Sequence, residues 1–348
     1  MSVIDILEKA RILLPMKLKS KVKDGHLKSG EHKIIREWKQ LYQALGYSSV
    51  SIDIELKDKD KKKVLYEALE ILKQNAIKIE LIERDCVFER EDIDKLNQIS
   101  PDIELNLRYI IKSHYTGENV KTNYPVGDYN KILDKIHFLT EVTRANFKEK
   151  DKQVLFVLKE IAQYISYDEE AEKKQKEEFR ERSGLKNALN ERKTVCCGFS
   201  MLLERCLGDL NIPCNIVNGW YGEGNLERNP LFLNHSWNQI QLNNNWYNVD
   251  LTFFSGDKNV ARNILVDDET FRDHILTSAY KSYPAPNRYP VEKIDEFYRE
   301  IESVKNVFEL YDQGYRKTIL QHHITTEQTE TASQVTKDDK HYEHSLMH

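Results

Sequence analysis

Two of the chain's five cysteines stand side by side in the stretch Lys193-Thr194-Val195-Cys196-Cys197-Gly198-Phe199-Ser200. Downstream, Phe199, Leu202, Leu203, Cys206, Leu207 and Leu210 recur with the period of a buried helix face, so the pair sits where that helix begins. A thiol at a helix N-terminus meets the positive end of the macrodipole and free backbone N–H groups, both of which favour the thiolate. This is how a cysteine nucleophile is prepared, and the same N–H groups can stabilise an oxyanion. At about 100° per residue, Cys196 falls on the apolar stripe and Cys197 beside Glu204 and Gly208. Cys196 is therefore expected to turn inward and Cys197 outward. On this stretch alone, an inert buried thiol explains Cys196 equally well.

A cysteine nucleophile needs a base, and the base needs an orienting acid. Residues 234–242, NHSWNQIQL, read as a strand, the run Asn243-Asn244-Asn245 as a turn, and residues 246–252, WYNVDLT, as a second strand. Asparagine tolerates left-handed backbone angles, so the pattern is that of a hairpin. His235 and Asp250 then lie at the same end of the ladder. An Asp beside a His fixes its tautomer and supports its imidazolium. For an arbitrary His and Asp, a surface imidazole and a strand-end carboxylate without contact would be the better reading. Cys206, on the apolar stripe, and Cys214, after the turn at Asn211-Ile212-Pro213, read as core thiols. Zinc is disfavoured, because adjacent cysteines lack the CxxC spacing and no HxxxH or second Cys pair supplies further ligands.

The rest of the chain must position these groups. Its 348 residues are enough for two domains. Residues 33–45 space Ile34, Ile35, Trp38, Leu41, Tyr42 and Leu45 as a helix. Alternating runs at 50–56, 77–81 and 103–109, separated by helical patterns around Leu65 and over 92–99, predict a small α/β domain with parallel pairing. Residues 114–129 read as a connection, with a boundary near residue 120. Helices are expected over 129–147, 151–167 and 198–210, a charged surface segment over 169–182, strands near 214–221, 236–242 and 246–251, and a long helix over 291–320. Residues 324–348 are too polar to order themselves. The expected organisation is residues 1–120 as an N-terminal α/β domain that scaffolds or binds a partner protein, 121–323 as a catalytic domain, and 324–348 as a disordered tail.

A net charge of −5, from 52 basic and 57 acidic residues, supplies no basic field for nucleic acid or anionic lipid. No apolar run approaches the roughly 20 residues of a membrane helix. Asp5, Glu8, Lys9 and Arg11 interrupt any signal-peptide core, which predicts a cytoplasmic protein beginning with an amphipathic helix and holding its cysteines as thiols.

The stretches VCCGF (195–199), HSWN (235–238) and WYNVDLT (246–252), with the segments LGDLNIPCNIVNGW (207–220) and VDDETFRDH (266–274), resemble the transglutaminase-like superfamily over about residues 150–280. Thr194 stands where Gly often precedes Val-Cys, and Ser236 where Ala is common. The resemblance implies an α+β, papain-like core, with the cysteine helix packed on an antiparallel sheet. It implies Cys196 as nucleophile, His235 as base and Asp250 as orienting acid, with Cys197 at a variable position and no cofactor, metal or calcium requirement. It assigns no side-chain oxyanion donor, although Tyr164 and Tyr167 lie upstream. The activity implied is acyl transfer from a protein or peptide amide through a thioester, with hydrolysis favoured over cross-linking to an amine. The alternatives are a transglutaminase proper and a non-enzymatic scaffold keeping the core. A zinc-dependent glycan amidase would need paired CxxC motifs that the sequence lacks.

Overall fold

The computed structural model describes residues 28–36, 47–52, 59–83, 90–112, 119–174, 179, 182–222, 235–276 and 282–315. The expected helix at the chain's start, residues 37–46 and the polar tail lie outside them. The chain divides into two compact units, residues 1–111 with 118–133, and residues 112–117 with 134–348.

The first unit holds a five-stranded sheet in the order β1 (Lys28–Ile35), β2 (Tyr47–Ile52), β3 (Lys78–Glu83), β4 (Glu104–Lys112), β5 (Asn119–Pro125). Pairs β1/β2, β2/β3 and β3/β4 are parallel. Helices α1 (Lys59–Gln74) and α2 (Arg90–Ile99) make the crossovers, and Leu65, Ala68, Leu69, Leu72, Ile93 and Leu96 on them are buried with Val50, Ile79, Leu81 and Leu105 of the strands. Two expectations fail here. Ile34 and Ile35 end a strand rather than begin a helix. Ile35 pairs opposite Ile52, and β-branched residues with a strand to pair against outweigh a helical period. Residues 119–129 form β5 and the first turn of α3 (Val126–Asn146), not an irregular connection.

The second unit is built on α4 (Lys150–Tyr164), buried almost all round, and α5 (Cys196–Asp209). A four-stranded antiparallel sheet runs in the order β10 (Asn245–Val249), β9 (His235–Leu242), β8 (Cys214–Tyr221), β11 (His274–Leu276). The two-stranded pair β6 (Ser166–Tyr167) and β7 (Lys193–Thr194) precedes α5, and short helices α6 (Leu251–Asp257) and α7 (Val260–Asn263) follow the hairpin. Helix α5 packs on β8 and β9, giving an α+β unit. No described helix is long and apolar enough to cross a membrane.

The expected helix over 291–320 is broken into α8 (Val291–Glu300) and α9 (Val307–Asp312). The break is held from α4. Lys159 Nζ donates to Ile301 O at 2.8 Å, Asn306 Nδ2 to Glu160 O at 2.8 Å, and Val307 N–H to Glu160 Oε2 at 2.5 Å. Asn306 Oδ1 then caps α9 by accepting from Phe308 and Glu309 N–H. No helical period encodes a break set by two side chains about 150 residues upstream.

Burial pushes the Glu160 carboxyl up to about 8, against the opposing Val307 hydrogen bond and Lys159 charge. A carboxyl raised in the folded state contributes stability that is fully present below its unfolded value of 4.5 and lost as pH rises toward 8. Glu160→Gln should remove that slope, on the order of a few kcal/mol between pH 5 and 8.5. In thermal unfolding across this range, the wild type should lose ground against the variant. Parallel profiles would contradict the reading.

Candidate active site

The cysteine pair is delivered by tight backbone geometry. Strand β7 pairs with β6, with Thr194 opposite Tyr167, and Asp168 N–H donates to Thr194 O at 2.9 Å. Val195 is extended, and Cys196 is the first residue of α5. Thr194 is fully buried against the helix start. A Cβ on Gly198 would collide with the Thr194 side chain, so the Gly of VCCGF is required by this close approach. The strand is anchored in turn by Thr194 Oγ1 donating to Arg182 O at 3.2 Å, while Arg182 holds buried Asp168 through two 2.8 Å contacts.

Both thiols are buried, Cys196 at 4% and Cys197 at 5% exposure. This corrects the helical wheel. Residues 196–203 are buried without exception, so the helix start has no solvent face for Cys197 to occupy. Its thiol lies against Ser183 O at 3.7 Å. Cys206 is fully buried and Cys214 half-buried with Asn238 Nδ2 at 3.4 Å, as core thiols would be; Cys86 lies outside the described residues.

The hairpin forms as its asparagines suggest, with Asn243 and Asn244 both left-handed at φ 51° and 65°. Its register sets Val249 opposite Asn238 and so brings Asp250 to the end where β9 starts with His235. His235 Nε2 and Asp250 Oδ2 are 2.6 Å apart, leaving Nδ1 as the nitrogen not engaged by Asp250, and Cys196 lies near enough for the two groups to shift each other's proton affinity. Asp250 does not continue the strand. It is the N-cap of α6, where Oδ1 accepts from Phe253 N–H at 3.1 Å. The other motif residues hold β9 in place: Asn238 Nδ2 donates to Ser200 O on α5 at 3.0 Å, and Ser236 Oγ to Asn218 Oδ1 at 2.6 Å. Among the residues singled out for chemistry, the structure thus brings Cys196, His235 and Asp250 together. It takes Tyr164 away, since Tyr164 OH donates to Asp312 Oδ2 at 2.6 Å and accepts from Lys135.

The family comparison joins this geometry to the sequence motifs. Residues 137–251 match the model of the Transglutaminase-like superfamily. This stretch is similar to a transglutaminase-like core. Among solved structures, one described as a crystal structure of a TGase is similar at 20% identity and a TM-score of 0.34, covering 48% of this chain and 46% of that one. The match therefore spans about half the length of each. No curated protein matches.

The electrostatics of the transglutaminase-like core follow from burial and partners. Burial pushes Asp250 up, yet the charge and hydrogen bond of His235, with those of His274, hold it well below the usual carboxylate range. For His235, burial alone would lower the pKa. The Asp250 charge and hydrogen bond, then Cys196, overcome this and push it up to about 10. The thiols divide. The Cys197 hydrogen bond and burial push Cys196 up while His235 pulls it down, and Cys197 is lowered by its contact with Cys196 and by first-turn backbone N–H groups.

One member of the cluster was not singled out in the sequence. His274 Nε2 lies 2.8 Å from the same Asp250 Oδ2, just beyond the matched core. Its only sequence signal is its place at the end of the segment 266–274. His235, Asp250 and His274 bring one potential ligand atom each within 4.8 Å, the one such group among the described residues. Their contacts at 2.6 and 2.8 Å are imidazole–carboxylate hydrogen bonds, and nitrogens that donate to Asp250 have no lone pair there for a cation.

If Asp250 raises His235, its removal must release the opposing effect of burial. Asp250→Asn should lower the His235 titration, followed by NMR of 15N-labelled histidine, from about 10 to 6.5 or below. A His235 still protonated above pH 8 in the variant would contradict the assignment.

Proposed function

We propose that the protein is a cysteine-dependent acyl-transfer enzyme acting on protein or peptide amides, with Cys196 as nucleophile, His235 as base and acid, and Asp250 as orienting acid. The observation that carries the reading is the buried 2.6 Å His235–Asp250 contact beside a thiol at a helix N-terminus. A nucleophile on a helix packed against an antiparallel sheet is also what a papain-like arrangement requires.

In this mechanism His235, whose proton affinity Asp250 raises, holds the proton given up by the Cys196 thiol, and the thiolate sulfur attacks the amide carbonyl. The N-terminus of α5 supplies the positive end of its dipole to the developing oxyanion. The C–N bond breaks as the His235 imidazolium gives its proton to the leaving amine, and a thioester remains on Cys196. Water then attacks with His235 taking its proton, and the C–S bond breaks to return the thiolate beside the imidazolium.

Hydrolysis is favoured over cross-linking. Cys196 and His235 expose only 4% and 7% of their surface, and a site so enclosed admits water more readily than a second protein's lysine. Cys197 has no role in the bond changes.

Amide turnover should fall by about 1000-fold or more in Cys196→Ala and by less than about tenfold in Cys197→Ala. Glutamine-containing peptides assayed for ammonia release, backbone cleavage and incorporation of a labelled amine would separate hydrolysis from transfer. Equal loss in both variants, or none in Cys196→Ala, would contradict the assignment. Amine incorporation outpacing hydrolysis at millimolar amine would make the enzyme a transglutaminase instead.

A further inference from the structure

The hydrogen bonds around Asp250 do not end at His235. Asp250 Oδ2 also meets His274 Nε2 at 2.8 Å, and His274 Nδ1 meets Asp273 Oδ1 at 2.8 Å. Asp273 Oδ2 is held at 2.6 Å by Arg262 Nη2, which also reaches Tyr221 OH at 3.3 Å. Each ring nitrogen of His274 thus faces a carboxylate oxygen. A carboxylate only accepts, so the ring bridges the two acids through its own N–H groups. The side chains form an alternating series of acid and base, from buried Asp250 at 0% exposure to Arg262 at 54%.

The ring is fixed as firmly as its hydrogen bonds. Phe271 stacks on it with centroids 3.5 Å apart and planes at 11°, and Trp237 meets it edge-on at 5.1 Å. Trp237 and Phe271 belong to a buried cluster with Val217 and Val266, so the segment is packed into the core. Gly219 admits this packing, since a Cβ there would collide with Ile275 O and the Trp237 ring. Among the described residues, the ionisable groups around His274 are Asp250, Asp273, His235 with its ring 5.5 Å away, and Tyr221 at 5.1 Å. Those around His235 are Cys196, Asp250, His274 and Tyr221.

We propose that His274 is a positioning residue of the site: bridging Asp250 and Asp273 through its two ring nitrogens, it fixes the carboxylate that orients His235 and holds back its basicity. The inference rests on the reading of Asp250 and His235 proposed above. Two imidazoles share one carboxylate oxygen, so the hydrogen bond from His274 draws on the same acceptor that supports the His235 imidazolium. Without His274, Asp250 would serve His235 alone, and the site would bind its proton too tightly to return it to a leaving amine near neutral pH.

The test uses His274→Gln and Asp273→Asn in the full chain. Gln removes the ring that bridges the two carboxylates. Asn at 273 leaves His274 hydrogen-bonded to Asp250 but takes away the carboxylate on its other ring nitrogen. Asp273 has no contact with Cys196 or His235 among those identified, so a merely structural defect in that variant would not reach them. His235 in 15N-labelled protein should titrate about one unit higher in both variants. In amide turnover, the alkaline limb of kcat/KM should move up with it, with kcat falling and KM little changed. The NMR titration needs no activity, so it tests His274 even where no amide is turned over, and the absence of turnover would count only against the proposed reaction. An unchanged or lowered His235 titration in folded Asp273→Asn protein, with thermal unfolding like that of the wild type, would overturn the proposal.

Discussion

One buried carboxylate organises the second unit. Asp250 is fully inaccessible, and an isolated charge there would cost several kcal/mol. It persists because three donors converge on it: His235 and His274 on Oδ2 and the Phe253 N–H on Oδ1. Truncating any one partner leaves the others facing a less compensated charge, so the donors are energetically coupled rather than additive.

The topology is arranged to bring these donors to one point. His235 starts β9, Asp250 follows the end of β10, and His274 starts β11 across β8 from His235, with Gly219 of β8 opposite His235 in register. The same residue that orients the imidazole starts the next helix, so α6 cannot shift without moving the acid. On the other side of the imidazole, the β6/β7 pair and the Gly198–Thr194 approach fix the start of α5. The Cys196 thiol therefore meets His235 across two rigid elements rather than on mobile loops, which suits chemistry that depends on sub-ångström placement.

Much of this was legible where local chemistry is strong. Asparagines at the hairpin turn fixed its register, and the register alone carries Asp250 to His235. What escaped depended on distant partners. The wheel placed Cys197 outward because it assumes one wet face, whereas Ser183 and its neighbours cover that face too. The helix expected over 291–320 is broken by Lys159 and Glu160, and the one begun at residue 33 gives way to the pairing of Ile35 with Ile52. His274 has no spacing relation to the cysteine or the hairpin. Only the folding of residues 266–274 against Trp237 makes it a neighbour of Asp250.

The central claim is that Cys196, and not the equally buried Cys197, carries the acyl group. It is tested most directly by acid-quenching the protein during turnover of an activated ester or glutamine peptide and locating the added mass by peptide mapping. The account predicts a hydroxylamine-sensitive thioester on Cys196. Acylation of Cys197 in its place, or an acyl group on any residue other than cysteine, would contradict it.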